Sequence, residues 1–359
     1  MNNTKSNIEC FNLLESLNIK ELNLTSLGNS ISSGFAMEGD IKPLLERNET
    51  LKDVAKLFNI KVNTYNMARA QANNDNRVYG WILNNVTLQE MYDMNISDYF
   101  GASKMGCITG TANMEDYILK TENKGIRDIL LENHPNLANI VIYHGATGSF
   151  LDNITRNGKH LVAGIPKDLA NMRSILDYVQ NQNREKNTNT QVYLGGAPNA
   201  YGLHITDVIS LPIKNLSTKY ACTSFVKPVY ETTFRKHDGK FMYDIHYSKE
   251  EYDKLNSVIM DTITSNYIYK YALIQIDREL FKLSRKIEFE DANLKNDLSF
   301  MNLEIDRILE QQLKYLIRNN GDLKYFGKLL TKYFNEIYCY DFYYINKELT
   351  LNKIKQYTL

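Results

Sequence analysis

A serine in a glycine-flanked turn is the first feature of this sequence that could do chemistry. The apolar segment 22–27 ends in Gly28, Asn29 and Ser30, and Gly34 follows four positions after the serine. This pattern predicts a buried strand that runs into a tight turn with Ser30 at its tip. Such a turn exposes the serine Oγ, and backbone amides beside it can stabilise an oxyanion. Gly-x-Ser after a strand is also common in ordinary loops, so a nucleophile is predicted only if a base accompanies it.

A histidine late in the chain is the candidate base. Asp244 and His246 stand in a short polar block just before a helix, and Ser248 and Glu251 have the spacing of a capping box at the start of that helix. A helix N-terminus directly after His246 would fix the loop that carries the imidazole. The alternative interpretation is that His246 is simply a residue flanking this helix.

The two blocks together resemble those of the SGNH/GDSL hydrolase family, over roughly residues 20–265. In that family the nucleophilic serine lies in an N-terminal Gly-Asp-Ser block and the general base in a late Asp-x-x-His block. The resemblance implies that Ser30 is the nucleophile, His246 the base and Asp244 the residue that orients the imidazole. It also implies a three-layer α/β/α fold with a mostly parallel, flavodoxin-like sheet. This sequence has Asn29 before the serine, and Asp244 stands two positions before His246 rather than three; Asp238 is a poorer candidate for the same role.

The middle blocks of the family supply the oxyanion donors, and this sequence departs from both. Gln71 stands where the family has a glycine, and could donate through its backbone amide or its side chain; the alternative is a polar loop. In the third block His144 and Gly145 precede Thr147, which takes the place of an asparagine. Thr147 Oγ1 can donate one hydrogen bond, and His144 or Asn153 could replace it. Loss of one oxyanion donor costs about 2.7–4 kcal/mol in other hydrolases.

The elements that must position these residues follow an α/β pattern. Hydrophobic periodicity predicts strands at 22–27, 62–67, 138–143 and 191–194, and helices at 6–19, 41–58 and 168–180. The segment 225–241 is interpreted as irregular. Because ligands bind beyond the carboxyl ends of the strands in parallel α/β sheets, the loops after these strands are expected to converge on one site.

The remainder of the chain is predicted to be helical. Helical apolar stripes begin near residue 249, and further helices are expected at 298–317, which ends at Asn319-Asn320-Gly321, and at 323–338. We therefore divide the chain into a hydrolase-like domain, 1–266, with an insert at about 84–138, and a helical extension, 267–359. The extension could cover a sheet edge, form a homodimer or dock a partner protein.

The amino-acid composition bears on which classes of partner and cofactor the protein is expected to bind. Lys plus Arg and Asp plus Glu number 42 each, so no net charge favours nucleic acid or an anionic membrane. The four cysteines are widely separated and predict neither a zinc site nor a disulfide frame. No segment approaches the roughly 20 apolar residues of a membrane helix, and the N-terminal residues do not resemble a signal peptide. We expect a cytoplasmic protein without a cofactor.

These features predict a serine esterase that removes a small acyl group, for example O-acetyl, from a sugar or a small metabolite. One alternative is an acyltransferase on the same fold. Another is a non-catalytic scaffold that works through the helical extension, which the altered middle blocks favour. A phosphate-binding loop at 144–149 is a weaker alternative, since it lacks the Gly-Lys-Ser/Thr ending.

Overall fold

A computed structural model describes residues 3–28, 30–34, 42–66, 138–144, 161–196, 203–229, 234–237, 240–243, 247–289, 297–336 and 347–358. The strands are β1 (Glu21–Gly28), β2 (Lys61–Asn66), β3 (Ala138–His144), β4 (Gln191–Gly195), β5 (Thr223–Val226), β6 (Phe234–His237) and β7 (Lys240–Tyr243). The helices are α1 (Asn3–Ser16), α2 (Ser30–Ser33), α3 (Leu51–Leu57), α4 (Leu161–Glu185), α5 (Leu203–Ser217), α6 (Lys249–Phe289), α7 (Leu298–Arg318), α8 (Leu323–Glu336) and α9 (Lys347–Thr358).

Five parallel strands form the main sheet, in the order β2-β1-β3-β4-β5, which confirms the predicted α/β class. Leu22 and Leu24 of β1 are buried on one face of the sheet, and Asn23 and Thr25 are buried on the other. Burial on both faces is typical of a parallel sheet whose crossover connections cover it. The predicted insert at 84–138 lies outside the described residues except for its last position, where β3 begins.

Helices pack against one another around this sheet. The rings of Phe11 on α1 and Phe58 after α3 are stacked with their centroids 6.4 Å apart, and α6 packs along α1. Four helices are followed by an asparagine with a positive φ, a conformation that lets the chain turn away from a helix end: Asn18, Asn59, Asn187 and Asn320. In the part of the chain that the structure describes, no helix combines the length and apolar character needed to cross a membrane.

Two predictions of local structure were wrong. The helix expected over 41–58 is confined to Leu51–Leu57, and turns occupy much of the stretch before it. Asn48 exchanges side-chain hydrogen bonds of 2.9 and 3.0 Å with Asn7 of α1, which holds these turns in place. Leu44 and Leu45, whose spacing suggested a helix, are buried without one.

The stretch 225–241, interpreted as irregular, instead contains the end of β5 and the antiparallel pair β6–β7, in which His237 lies opposite Lys240. Each of these strands has four residues, too few for a clear alternation of apolar and polar positions.

A buried ion pair joins the sheet-associated helices to the C-terminal ones. Arg184 of α4 donates two hydrogen bonds of 2.7 Å to Asp277 of α6, and both side chains are 2% exposed. Tyr333 of α8 donates a third, also of 2.7 Å, to the same carboxylate. Helix α6 itself continues without a break through 266–267, where the sequence predicts the start of the extension. Helix α6 is thus bonded directly to α4, and α8 is bonded to the same carboxylate of α6.

One lysine is buried inside the helical part of the core. Lys270 of α6 is 4% exposed, and burial lowers the pKa of its ammonium group to about 8. The Cys222 thiol before β5 and the positive charge of Lys332 on α8 are its titratable neighbours, with smaller and opposite effects. The folded protein therefore disfavours the charged form of Lys270.

Candidate active site

The predicted nucleophile lies at the point where the strand order of the sheet reverses. The chain leaves β1 for β2 on one side, and β3 lies on the other side of β1. Gly28, at the end of β1, is opposite His144, at the end of β3. Ser30 begins α2 directly beyond this edge. Ligands bind at such switch points in open α/β sheets because the loops diverge there and leave a crevice.

Backbone hydrogen bonds close the turn that follows Ser30. The amide of Gly34 donates to the carbonyl of Ile31 at 3.0 Å, and the amide of Leu44 donates to the carbonyl of Ser32 at 3.2 Å. Gly34 has φ 82°, and a Cβ atom there would collide with the carbonyl oxygen of Lys42. A glycine is required at this position because a side chain would face both a strained backbone and a steric clash.

Two buried side chains hold this turn from outside. Tyr252 of α6 donates a hydrogen bond of 3.0 Å from Oη to the carbonyl of Ile31. Arg47 donates from Nε at 3.2 Å, and from Nη2, to the carbonyl of Gly34. The Arg47 guanidinium carbon lies 4.7 Å from the centroid of the Tyr252 ring, within the range of a cation–π contact. The residues next to Ser30 are thus fixed by α6 and by the turns before α3.

The start of α6 is built as the sequence predicts. The amide of Ser248 donates to Glu251 Oε2 at 2.8 Å, and the amide of Glu251 donates to Ser248 Oγ at 3.2 Å, which completes a capping box. Tyr247 packs edge-on against Tyr252, with ring centroids 5.5 Å apart. Burial raises the pKa of the Tyr247 phenol above its usual range, so this ring stays neutral. The residue directly after His246 is therefore part of the same cluster that holds the Ser30 turn.

The structure brings together the chain segments that carry Ser30 and His246, and it describes the backbone of Ser30 and of His144. Ile31 follows Ser30, Tyr247 follows His246, and Tyr252 contacts both. The remaining predicted site residues lie outside the described residues: Asn29, Gln71, Gly145, Thr147, Asp244 and His246, together with the alternatives Asn153 and Asp238. Their roles stay predictions.

A second contact links the edge of the sheet to the chain that leads toward His246. The amide of Gly196, just beyond β4, donates to the carbonyl of Val226 at 3.0 Å, and a Cβ at Gly196 would come within 2.7 Å of Pro228 Cδ. The backbone after β5 therefore packs tightly against the end of β4, on the same edge of the sheet as Gly28 and His144.

Sequence reasoning missed Arg47 and Tyr252. Tyr252 stands three positions before Leu255 in the buried stripe of α6. This spacing indicates that its hydroxyl is buried and needs a hydrogen-bond partner, but it does not identify that partner. Arg47 had no local signal. Among the described residues, no group of three or more His, Cys, Asp or Glu side chains is arranged to hold a metal ion.

Comparisons with known protein families, with curated proteins and with solved structures found no match to this chain. The site must therefore be interpreted from its own residues and geometry.

Proposed function

We propose that the protein is a serine hydrolase of the SGNH/GDSL type, which removes a small acyl group such as O-acetyl from a sugar or a small metabolite. The observation that carries this proposal is the hydrogen bond between Tyr252 Oη and the carbonyl of Ile31, which joins residues 221 positions apart. Tyr252 lies six positions after His246, and Ile31 is next to Ser30. Ile31, which follows Ser30, and Tyr247, which follows His246, both pack against Tyr252 in one buried cluster.

The topology supports the same proposal. The connections β1→β2 and β3→β4 run in opposite directions along the sheet. Because such crossovers are right-handed in nearly all proteins, α3 and α4 are expected on opposite faces of the sheet. That arrangement is what the three-layer, flavodoxin-like fold implied by the resemblance requires, and such folds bind ligands at the switch point, where the Ser30 turn begins.

The reaction follows from the proposed roles. Ser30 Oγ forms a bond to the acyl carbon while its proton passes to His246, which Asp244 orients. His246 then gives this proton to the alcohol oxygen as the ester C–O bond breaks. Water attacks the acyl-enzyme through the same base, the carboxylic acid leaves, and Ser30 is restored. If an alcohol or amine attacks instead of water in this second step, the acyl group is transferred to it and the product is a new ester or amide.

The oxyanion that forms in each step needs donors. The Ser30 amide and the Gln71 amide or side chain are proposed to donate to it, with Thr147 in place of the family's asparagine. Asn29, His144 and Gly145 are proposed to shape the surrounding pocket. A cofactor is not needed for any step of this mechanism.

Hydrolysis of p-nitrophenyl acetate and butyrate by the purified protein tests this function. Replacement of the nucleophile in Ser30→Ala should reduce kcat/KM by on the order of 10³-fold or more. Ser33→Ala, in the same short helix, is the matched control and should retain activity. Turnover by Ser30→Ala at the rate of the wild type, or a wild type that turns over neither ester, would count against the proposal.

A further inference from the structure

A carbonyl in the turn after Ser30 bonds both within the turn and to α6. The carbonyl oxygen of Ile31 accepts the amide of Gly34 at 3.0 Å and the hydroxyl of Tyr252 at 3.0 Å. Ile31 is 2% exposed and Tyr252 is fully buried, so this bond is shielded from water. A bond of this kind fixes both the position of the turn and its orientation relative to α6.

The other end of the same connection is Tyr247, the residue that follows the candidate base in the sequence. The capping box of Ser248 and Glu251 sets the first turn of α6. Tyr247 packs against the Tyr252 ring at 82°, so the chain just after His246 is held by the tyrosine that bonds to the turn. Arg47 lies over the Tyr252 ring and bonds to Gly34 at the far side of the turn.

We propose that Tyr252 is a positioning residue that holds the turn after Ser30 against Tyr247 and the start of α6, the chain that directly follows His246, with Arg47 bracing the turn from the other side. This inference rests on the proposed function. Its basis is that one buried side chain contacts the residue after the nucleophile and the residue after the base. A change of about 1 Å in the spacing of reacting groups can cost on the order of 10²-fold in rate.

Tyr252→Phe tests this role because it keeps the ring and removes the hydroxyl. We expect kcat for p-nitrophenyl acetate to fall at least about tenfold with KM nearly unchanged, since Tyr252 is fully buried and is not proposed to bind the ester. Hydrogen exchange in the peptide 26–34 should become faster because the Ile31 carbonyl loses a bond. Arg47→Lys should also lower kcat, because a lysine cannot donate from two nitrogen atoms to the Gly34 carbonyl as the guanidinium does.

The matched control is Tyr193→Phe. Tyr193 of β4 is also a fully buried tyrosine, and its hydroxyl donates at 2.8 Å to Gln191, within the same strand. A purely structural role for Tyr252 predicts that both variants lose similar thermal stability and similar activity. The positioning role predicts that kcat falls in Tyr252→Phe and stays near the wild-type value in Tyr193→Phe.

The outcomes separate this inference from the function on which it rests. Suppose that the wild type hydrolyses the ester and that Ser30→Ala abolishes this activity. If Tyr252→Phe then keeps the wild-type kcat, or its kcat falls no further than that of Tyr193→Phe, the positioning role is wrong and the proposed hydrolase function stands. If the wild type shows no reaction that depends on Ser30, the proposed function fails and the positioning role fails with it.

Discussion

Removal of the carboxylate of Asp277 should destabilise the whole protein. Asp277 accepts two hydrogen bonds from Arg184 and one from Tyr333, all of 2.7 Å, and thereby joins α4, α6 and α8. In Asp277→Asn the Arg184 guanidinium stays buried without its counter-charge. We therefore expect the C-terminal helices and the sheet to lose stability together, as one unit.

The expected loss follows from the burial of the pair. Both side chains are 2% exposed, so water cannot solvate the charge that remains. Breaking a buried pair by removing one partner costs about 3–5 kcal/mol. Tyr333→Phe removes a hydrogen bond to a charged group and should cost about 1.5–3 kcal/mol. The double variant Arg184→Met with Asp277→Leu removes both charges of the pair but leaves the Tyr333 hydroxyl without this acceptor, so it should recover part of the loss.

Urea unfolding followed by circular dichroism at 222 nm measures these differences, because the helices dominate that signal. The matched control is Lys282→Met on the same helix, where the Lys282 and Glu279 side chains are 54% and 30% exposed and their pair should contribute no more than about 1 kcal/mol. A free energy of unfolding for Asp277→Asn within about 1 kcal/mol of the wild type would refute this reasoning. So would a double variant less stable than Asp277→Asn.

Three further predictions concern the pH dependence and the turns. Between pH 8 and 10.5 Lys270 binds a proton in the unfolded chain but not in the folded protein, so the free energy of unfolding rises with pH over this range. At pH 7 the free energy of unfolding of Lys270→Met should therefore exceed that of the wild type by about 3 kcal/mol, and urea titrations should show this difference shrinking toward pH 10.5. Gly34→Ala should lose at least about 2 kcal/mol in the same assay, because its Cβ meets the Lys42 carbonyl, and wild-type stability would contradict this. Ser248→Ala removes the bond to the Glu251 amide and should cost about 1 kcal/mol; an unchanged midpoint would show that the cap contributes nothing.

Much of the sheet could be predicted because its signals are local. The apolar run before Ser30 forms β1, and the prediction at 138–143 matches β3 nearly to its ends. The capping box at Ser248 is also local, since it needs only the right residue three positions along, and the structure confirms it. The asparagines and glycine at 319–321 end α7 as predicted.

The contacts that define the candidate site could not be predicted in this way. The bond from Tyr252 to Ile31 joins residues 221 positions apart, and no local pattern specifies such a partner. The turns at 42–50 were missed because Leu44 and Leu45 have helical spacing but are buried through side-chain bonds such as that of Asn48. Tertiary contacts overrode the local periodicity at both places.

The proposed function requires Ser30 to be an activated nucleophile. Labelling of the intact protein with a fluorophosphonate probe, followed by mass spectrometry of its peptides, tests it without knowledge of the natural substrate. We expect one adduct, on Ser30, that is lost in Ser30→Ala and forms much more slowly in His246→Ala. A protein that stays unlabelled, or that carries the adduct on another residue with Ser30 unmodified, would contradict it.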